Sequence, residues 1–355
     1  MFEHLSRRHI SRVMGAAALA AGTKALAQDD AERASPGFSP GLREYVLSVF
    51  DFERIVTPMV EVGLFTRRDL PDAPPGQWAA WNVPADCTRI EQVYIEPMGS
   101  KAGEGGIRLV KFHGTKQRVM RSSQRSWDTG GLFDVDVMTP DVDSAYRKLQ
   151  RYGWSANGEP VDYTEANLHV RQVVANGPDG FRLAMIQRYS PPATNLIAGA
   201  TMSPIHGGVH MVRDYDVSRR YLLDTLGWSA RLEFVIDNQA EPGADVLGLP
   251  LPMALTAVRR IGMFSGPGGG GGIELIHTVD MYGVDFAEHC VAPNVGLLCQ
   301  RFPVANAEKY AAEIAARGGA IYAPPSRYEI APIGEVTAFA VRTPDGAILE
   351  FYQPA

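Results

Sequence analysis

The chain has 355 residues, 45% hydrophobic and 21% charged, a globular composition with apolar mass for more than one core. Its formal net charge of -6 argues against nucleic acid or an anionic membrane surface as the main partner, and 36 Gly with 25 Pro argue against a mostly helical bundle. Three cysteines, Cys87, Cys290 and Cys299, exclude a disulfide scaffold and a four-cysteine zinc site.

In chain order, the first segment reads as an address. Ser6-Arg7-Arg8-His9-Ile10-Ser11-Arg12 precedes a short apolar run from Val13 to Gly22, and Ala25-Leu26-Ala27 supplies the small residues of a cleavage site. The run is too short to span a bilayer. The arginine pair resembles a twin-arginine (Tat) export signal, which implies a periplasmic protein. Residues 1–27 are therefore expected to be a signal peptide and 28–40 a flexible leader. In an oxidising compartment a Cys290–Cys299 pair stays open.

The remainder repeats one plan four times: an alternating strand, an acidic or amide residue, an amphipathic helix, a glycine, then several strands. Asp51, Asp141, Asp214 and Asn306 are the strand-to-helix junctions, suited to N-capping. Gly63, Gly153, Gly227 and Gly318 follow at nearly fixed distances and suit helix ends. Each unit closes with a short apolar strand: 107–110, 183–186, 273–276 and 349–352. Two of these follow the turns Pro178-Asp179-Gly180 and Pro344-Asp345-Gly346. The units read as 41–115, 129–190, 203–280 and 293–354, and neighbours are expected to pair into domains 41–190 and 203–355. The glycine run 268–272 reads as a hairpin tip, because a phosphate cradle needs a helix after it.

These βαβββ units, with Pro-Asp-Gly turns and an inward Glu on the closing strand, resemble the vicinal oxygen chelate (VOC) superfamily. That family includes glyoxalase I, methylmalonyl-CoA epimerase, extradiol dioxygenases and antibiotic-resistance proteins. The resemblance covers residues 41–355 and implies an α+β fold of four βαβββ modules forming two VOC-type, glyoxalase-like cupped sheets. It also implies a divalent metal held by side chains from the first and last strands of paired modules.

Carried onto this sequence, the first-strand ligand positions are Glu44, Asp134, Gly207 and Cys299, and the closing-strand positions are Arg108, Ala184, Glu274 and Glu350. In the N-terminal cup Glu44, Arg108 and Asp134 fit an internal ion pair or a substrate contact better than a metal. In the C-terminal cup Glu274 and Glu350 are expected to share one cavity as metal ligands or catalytic bases. Gly207 stands where a His is expected. A β-bulge at Gly207-Gly208 would re-aim His206 or His210 toward the metal. Cys299 would add a thiolate, and Arg301 is the neighbouring cation for substrate or for the two Glu. A set of His and Glu suits Fe(II), Mn(II), Zn(II) or Ni(II). His277 reads as a rim residue, while His113 and His169 have no evident partner.

The expected function is an exported, metal-dependent lyase or isomerase acting on a small aromatic or carbonyl-bearing substrate by oxygen chelation, with Glu274 or Glu350 as base. An extradiol-type ring-cleaving dioxygenase is the alternative within the family, disfavoured by Gly207 and Cys299. A metal-free small-molecule binding protein is the alternative outside catalysis. No nucleic-acid partner and no membrane span are expected. Pairing of modules across subunits, in a homodimer, stays open.

Overall fold

The computed structural model describes residues 41–100, 105–123, 125–165, 168–240, 249–266 and 272–355. The signal peptide and leader expected over 1–40 and most of the glycine run lie outside the described residues.

Four modules follow one another. The first holds β1 (Glu44–Ser48), α1 (Glu53–Glu61), β2 (Phe65–Leu70), α2 (Pro75–Ala80), β3 (Arg89–Pro97) and β4 (Gly106–His113). The second holds β5 (Val135–Met138), α3 (Val142–Gln150), β6 (Ser155–Ala156), β7 (Val161–Glu165), β8 (Leu168–Asn176) and β9 (Arg182–Ser190). The third holds β10 (Val209–Met211), α4 (Tyr215–Arg220), β11 (Ser229–Asp237), α5 (Leu251–Ala254), β12 (Val258–Ser265) and β13 (Ile273–Val279). The fourth holds β14 (Gly296–Pro303), α6 (Ala307–Ala316), β15 (Ile321–Ile330), β16 (Gly334–Arg342) and β17 (Ile348–Pro354).

The junction residues act as the sequence predicts in three modules. Asp141, Asp214 and Asn306 accept hydrogen bonds from the backbone N–H three residues on, at 2.9, 3.0 and 2.8 Å. Gly153, Gly227 and Gly318 take the left-handed conformation past the helix ends, at φ of 80, 75 and 82°. The first module differs. Phe52 is the N-cap of α1, Asp51 accepts only from Glu53 N, and Leu64 rather than Gly63 has positive φ.

Module pairing departs from the expectation of two consecutive halves. β1 lies antiparallel to β14, with Glu44 opposite Arg301, so the first and fourth modules form one eight-stranded sheet. The second and third meet through β5 and the chain entering β10: Asp136 bridges Gly207, and Phe133 N–H donates to Val209 O at 2.8 Å. The two cups are therefore modules one with four and two with three. Sheet hydrogen bonding across 250 residues of separation leaves no local mark on the chain.

The helices and the outer faces of the eight-, five- and four-stranded sheets pack into one large core that includes Tyr45, Leu47, Val137, Leu149, Leu222 and Phe351. Between the cups runs a polar chain. Gln300 Nε2 donates to Tyr45 Oη at 2.6 Å, and His210 Nε2 pairs with Gln300 Oε1 at 2.9 Å. Since the amide oxygen accepts, Nε2 is the protonated nitrogen of His210. Gly208 is required here, because a Cβ on it would lie 1.9 Å from Tyr45 Oη.

Candidate functional site

The two cups have opposite contents. In the cup of modules one and four, Glu44, Arg108, Arg301 and Glu350 point inward from β1, β4, β14 and β17, each buried. They form an alternating chain of charges. Arg108 Nε donates to Glu44 Oε1 at 2.7 Å, Arg301 Nη1 to the same oxygen at 2.5 Å, and Arg301 Nε to Glu350 Oε1 at 2.6 Å. The remaining valences are also met. Arg108 donates to Gln92 Oε1 and to the Ala331 carbonyl, while Glu350 accepts from Trp81 Nε1 and Tyr328 Oη. Two cations balance two anions, as low-dielectric surroundings demand. Burial would raise the Glu44 pKa, but the adjacent Arg108 and Arg301 charges outweigh it and hold the carboxyl below its usual range.

This cup is filled. The indole of Trp81, just after α2, lies under Arg301 and is fully buried. Val46, Trp81, Cys299, Ala340 and Ile348 form a single apolar cluster. Cys299 belongs to it, and burial, followed by the Glu350 charge, pushes its thiol well above the usual value, so it is not the thiolate ligand expected. Cys290 and Cys299 are both free and buried. Of the two readings of Glu44 and Arg108, internal ion pair or substrate contact, the structure shows the ion pair, and Arg301 is the cation between Glu44 and Glu350. A divalent cation does not fit here, because both carboxylates already have guanidinium partners and the cluster is neutral.

The cup of modules two and three is open. A cavity of about 270 Å³ is walled by Met138, Val170, Ile186, Phe234, Ile261 and Met263, with Asp136, Glu274, His206 and Gln172 among its polar lining. Asp136 lies on β5, two residues and one inward step beyond Asp134. Glu274 lies on β13 in register with Val209. The two meet across the Gly207-Gly208 segment that leads into β10: Asp136 N–H donates to the Gly207 carbonyl, and Glu274 N–H to that of Gly208. Gly207 is needed for close approach, since a Cβ there would lie 2.9 Å from Asp136 Oδ2.

No salt bridge joins Asp134, Asp136 or Glu274 to a cation among the described residues. Burial pushes Glu274 up to about 8, with the Asp134 charge adding to it. Asp136 is raised well above its usual value by burial and then by Asp134 and Glu274. Asp134 is raised to about 7 by burial, against the pull of the Val209 N–H it accepts from. His206 also lines the cavity, and burial, then the Arg188 charge, lowers it to about 4. Around pH 7 the cup thus holds carboxyl groups that exchange protons near neutrality, beside a neutral imidazole.

The structure therefore separates the residues expected to share one site. Glu274 and Glu350 occupy different cups. His206 does reach the cavity beside Glu274. His210 does not, because it faces away, 1% exposed, in the chain to Gln300. Asp134 belongs with Glu274 rather than with Glu44 and Arg108. Among the described residues, no group of three or more His, Cys, Asp or Glu side chains is placed to hold a metal ion. Asp136 was missed in favour of Asp134, although the Asp134-Val135-Asp136 alternation puts both on one face. Among the described residues, no helix is long and apolar enough to cross a membrane.

No family model and no curated protein matches this sequence. Solved structures do. Glyoxalase I from Zea mays aligns at 14% identity over 89% of this chain and 93% of its own, with a TM-score of 0.56. A single-site variant of that protein covers 92% and 97% at TM-score 0.58 and 14% identity. A "putative dioxygenase" from Bacillus subtilis covers 89% and 86% at 0.51 and 11% identity. At such identities the likeness speaks to fold, and the chain has the α+β, VOC-type fold of four βαβββ modules in two cupped sheets.

Proposed function

We propose that this protein is a small-molecule enzyme of the lyase or isomerase kind whose active site is the cup of modules two and three, with Glu274 and Asp136 as its proton-handling pair. One observation carries this reading. Two carboxyl groups, those of Asp136 and the partly buried Glu274, line an apolar cavity from facing strands with no ion-pair partner among the described residues, and Glu274 is poised at about 8. A carboxyl tuned near the working pH suits transfer of a proton. In the step envisaged, the ionised member of the pair removes a proton from the carbon beside a substrate carbonyl. The protonated member gives a proton to the carbonyl oxygen, and the resulting enol collapses with a proton returned to the neighbouring atom.

Asp136, Glu274 and His206 are of metal-ligating types, but among the described residues no three such side chains are grouped to hold an ion, so no step is assigned to one. The test is solvent exchange. The full chain, in D2O with a panel of small hydroxyketones and aryl ketones, is expected to exchange the carbon-bound proton faster than buffer. Glu274→Gln and Asp136→Asn are expected to abolish the excess. Exchange at the buffer rate across the panel, or exchange unaffected by both substitutions, overturns the reading. The apolar walls favour sequestration without chemistry as a second reading, to which saturable binding without exchange points. Export through the arginine-pair signal remains part of the proposal, supported by residues 6–27 of the sequence and checked by periplasmic fractionation.

A further inference from the structure

Two arginines enter the open cup away from its acids. Arg188 follows Ile186 on the inward face of β9, and Arg231 stands at the irregular step in the β11–β12 pairing between Ala230 and Leu232. Burial alternates along β11 and leaves Arg231 exposed, with Glu233 and Val235, so it joins the lining with Phe234 and Ile236 at the rim of the cavity. Neither arginine forms an ion pair among the described residues, and Arg188 Nε is buried with no hydrogen-bond partner. The charges acting on Asp136 are those of Asp134 and Glu274, while Arg188 acts on His206. Acids and arginines thus occupy separate parts of the lining, with Val170, Phe234, Ile261 and Met263 among the hydrocarbon walls.

We propose that the ligand of this cup is a small organic acid, its carboxylate held by Arg188 and Arg231, its apolar body on the hydrocarbon walls and a second oxygen function facing Asp136 and Glu274. This rests on the open cup being the substrate site and adds the class of molecule it takes. The half-buried guanidinium of Arg188, with its Nε donor unmet, is costly to leave unpaired, and a planar carboxylate satisfies two N–H groups at once. A neutral His206 beside Arg188 leaves the positive charge there to the arginines alone. The positive charge of the lining lies with the arginines, so the ligand enters with its charged end toward them.

Titration calorimetry on the full chain tests this with phenylacetate, 3-phenylpropionate and 4-phenylbutyrate against their neutral amides. At least one acid is expected to bind tenfold or more tightly than its amide. The Arg188→Gln/Arg231→Gln double variant is expected to bring that ratio close to one while amide binding holds. Arg231→Gln alone, on an exposed part of its strand, is expected to lower the ratio partway and serves if the double variant does not fold. Amides binding as tightly as acids, or an acid preference that survives loss of the arginines, overturns the inference and leaves the cup as the site. Failure of both series to bind overturns the inference and counts against the cup itself.

Discussion

The indole Nε1 of Trp81 donates to Glu350 Oε2 at 3.0 Å, so a residue following a helix of the first module stoppers the cup completed by the fourth. Trp81 is fully buried beneath Arg301, and α2 packs on β15. Trp81→Phe is expected to cost about 1–3 kcal/mol, because it removes one donor from a buried carboxylate. Trp81→Ala is expected to cost about 3–5 kcal/mol by adding a cavity. Urea denaturation checks both. A Trp81→Phe variant as stable as the parent would show that the hydrogen bond contributes nothing beyond packing.

Arg301 separates two carboxylates. Glu44 and Glu350 both accept from it, at 2.5 and 2.6 Å. Arg301→Met is expected to destabilise by about 3–5 kcal/mol, since it leaves Glu350 without its cation and Glu44 with only Arg108. Adding Glu350→Gln to Arg301→Met is expected to recover part of that loss. A double-mutant cycle on the two positions reads the coupling.

Module boundaries and the inward face of each closing strand were legible in the sequence because they rest on local chemistry: capping Asp or Asn, a left-handed Gly, period-two alternation. Pairing was not, because β1 meets β14 through backbone groups that every strand carries. A charge count over the cups held the missing signal. Glu44 and Glu350 with Arg108 and Arg301 balance two against two, whereas joining Glu350 to Glu274 leaves the remaining acids and arginines unmatched. His210 and Cys299 misled for a related reason. His210 neighbours an inward position and faces the gap between cups, while Cys299 shares the inward face with Arg301 but meets the apolar filling of that cup, which depends on the tertiary partner and not on the strand.

The raised carboxyls of the open cup make a statement about stability. Glu274 binds its proton in the folded state up to about pH 8, whereas the unfolded chain releases it near the ordinary value of 4.5. Between those values the folded state holds more protons, so stability falls as pH rises, by at most about 1.4 kcal/mol per pH unit for one group. Above the folded value the whole penalty is present. Glu274→Gln, which has no charge to bury, is expected to gain stability relative to the parent protein between pH 5.5 and 8.5. Thermal melts at three pH values check this. A parallel pH response of the two proteins would place Glu274 in water rather than in the cavity.

Gly208 and Tyr45 hold the two cups against one another. A Cβ at Gly208 would meet Tyr45 Oη at 1.9 Å and the Asp134 carbonyl at 2.4 Å, and the second neighbour is backbone that does not swing away. Gly208→Ala is therefore expected to destabilise by about 1–3 kcal/mol through overpacking. Tyr45→Phe removes the acceptor of Gln300 Nε2 and leaves a buried amide donor unmet, at a cost of about 1–3 kcal/mol. Because Phe lacks the hydroxyl that clashes, Gly208→Ala is expected to cost less in the Tyr45→Phe background than alone. Strict additivity in the double variant, read by denaturant unfolding, would mean that the Asp134 carbonyl sets the limit and that the His210–Gln300–Tyr45 chain closes without help from the glycine.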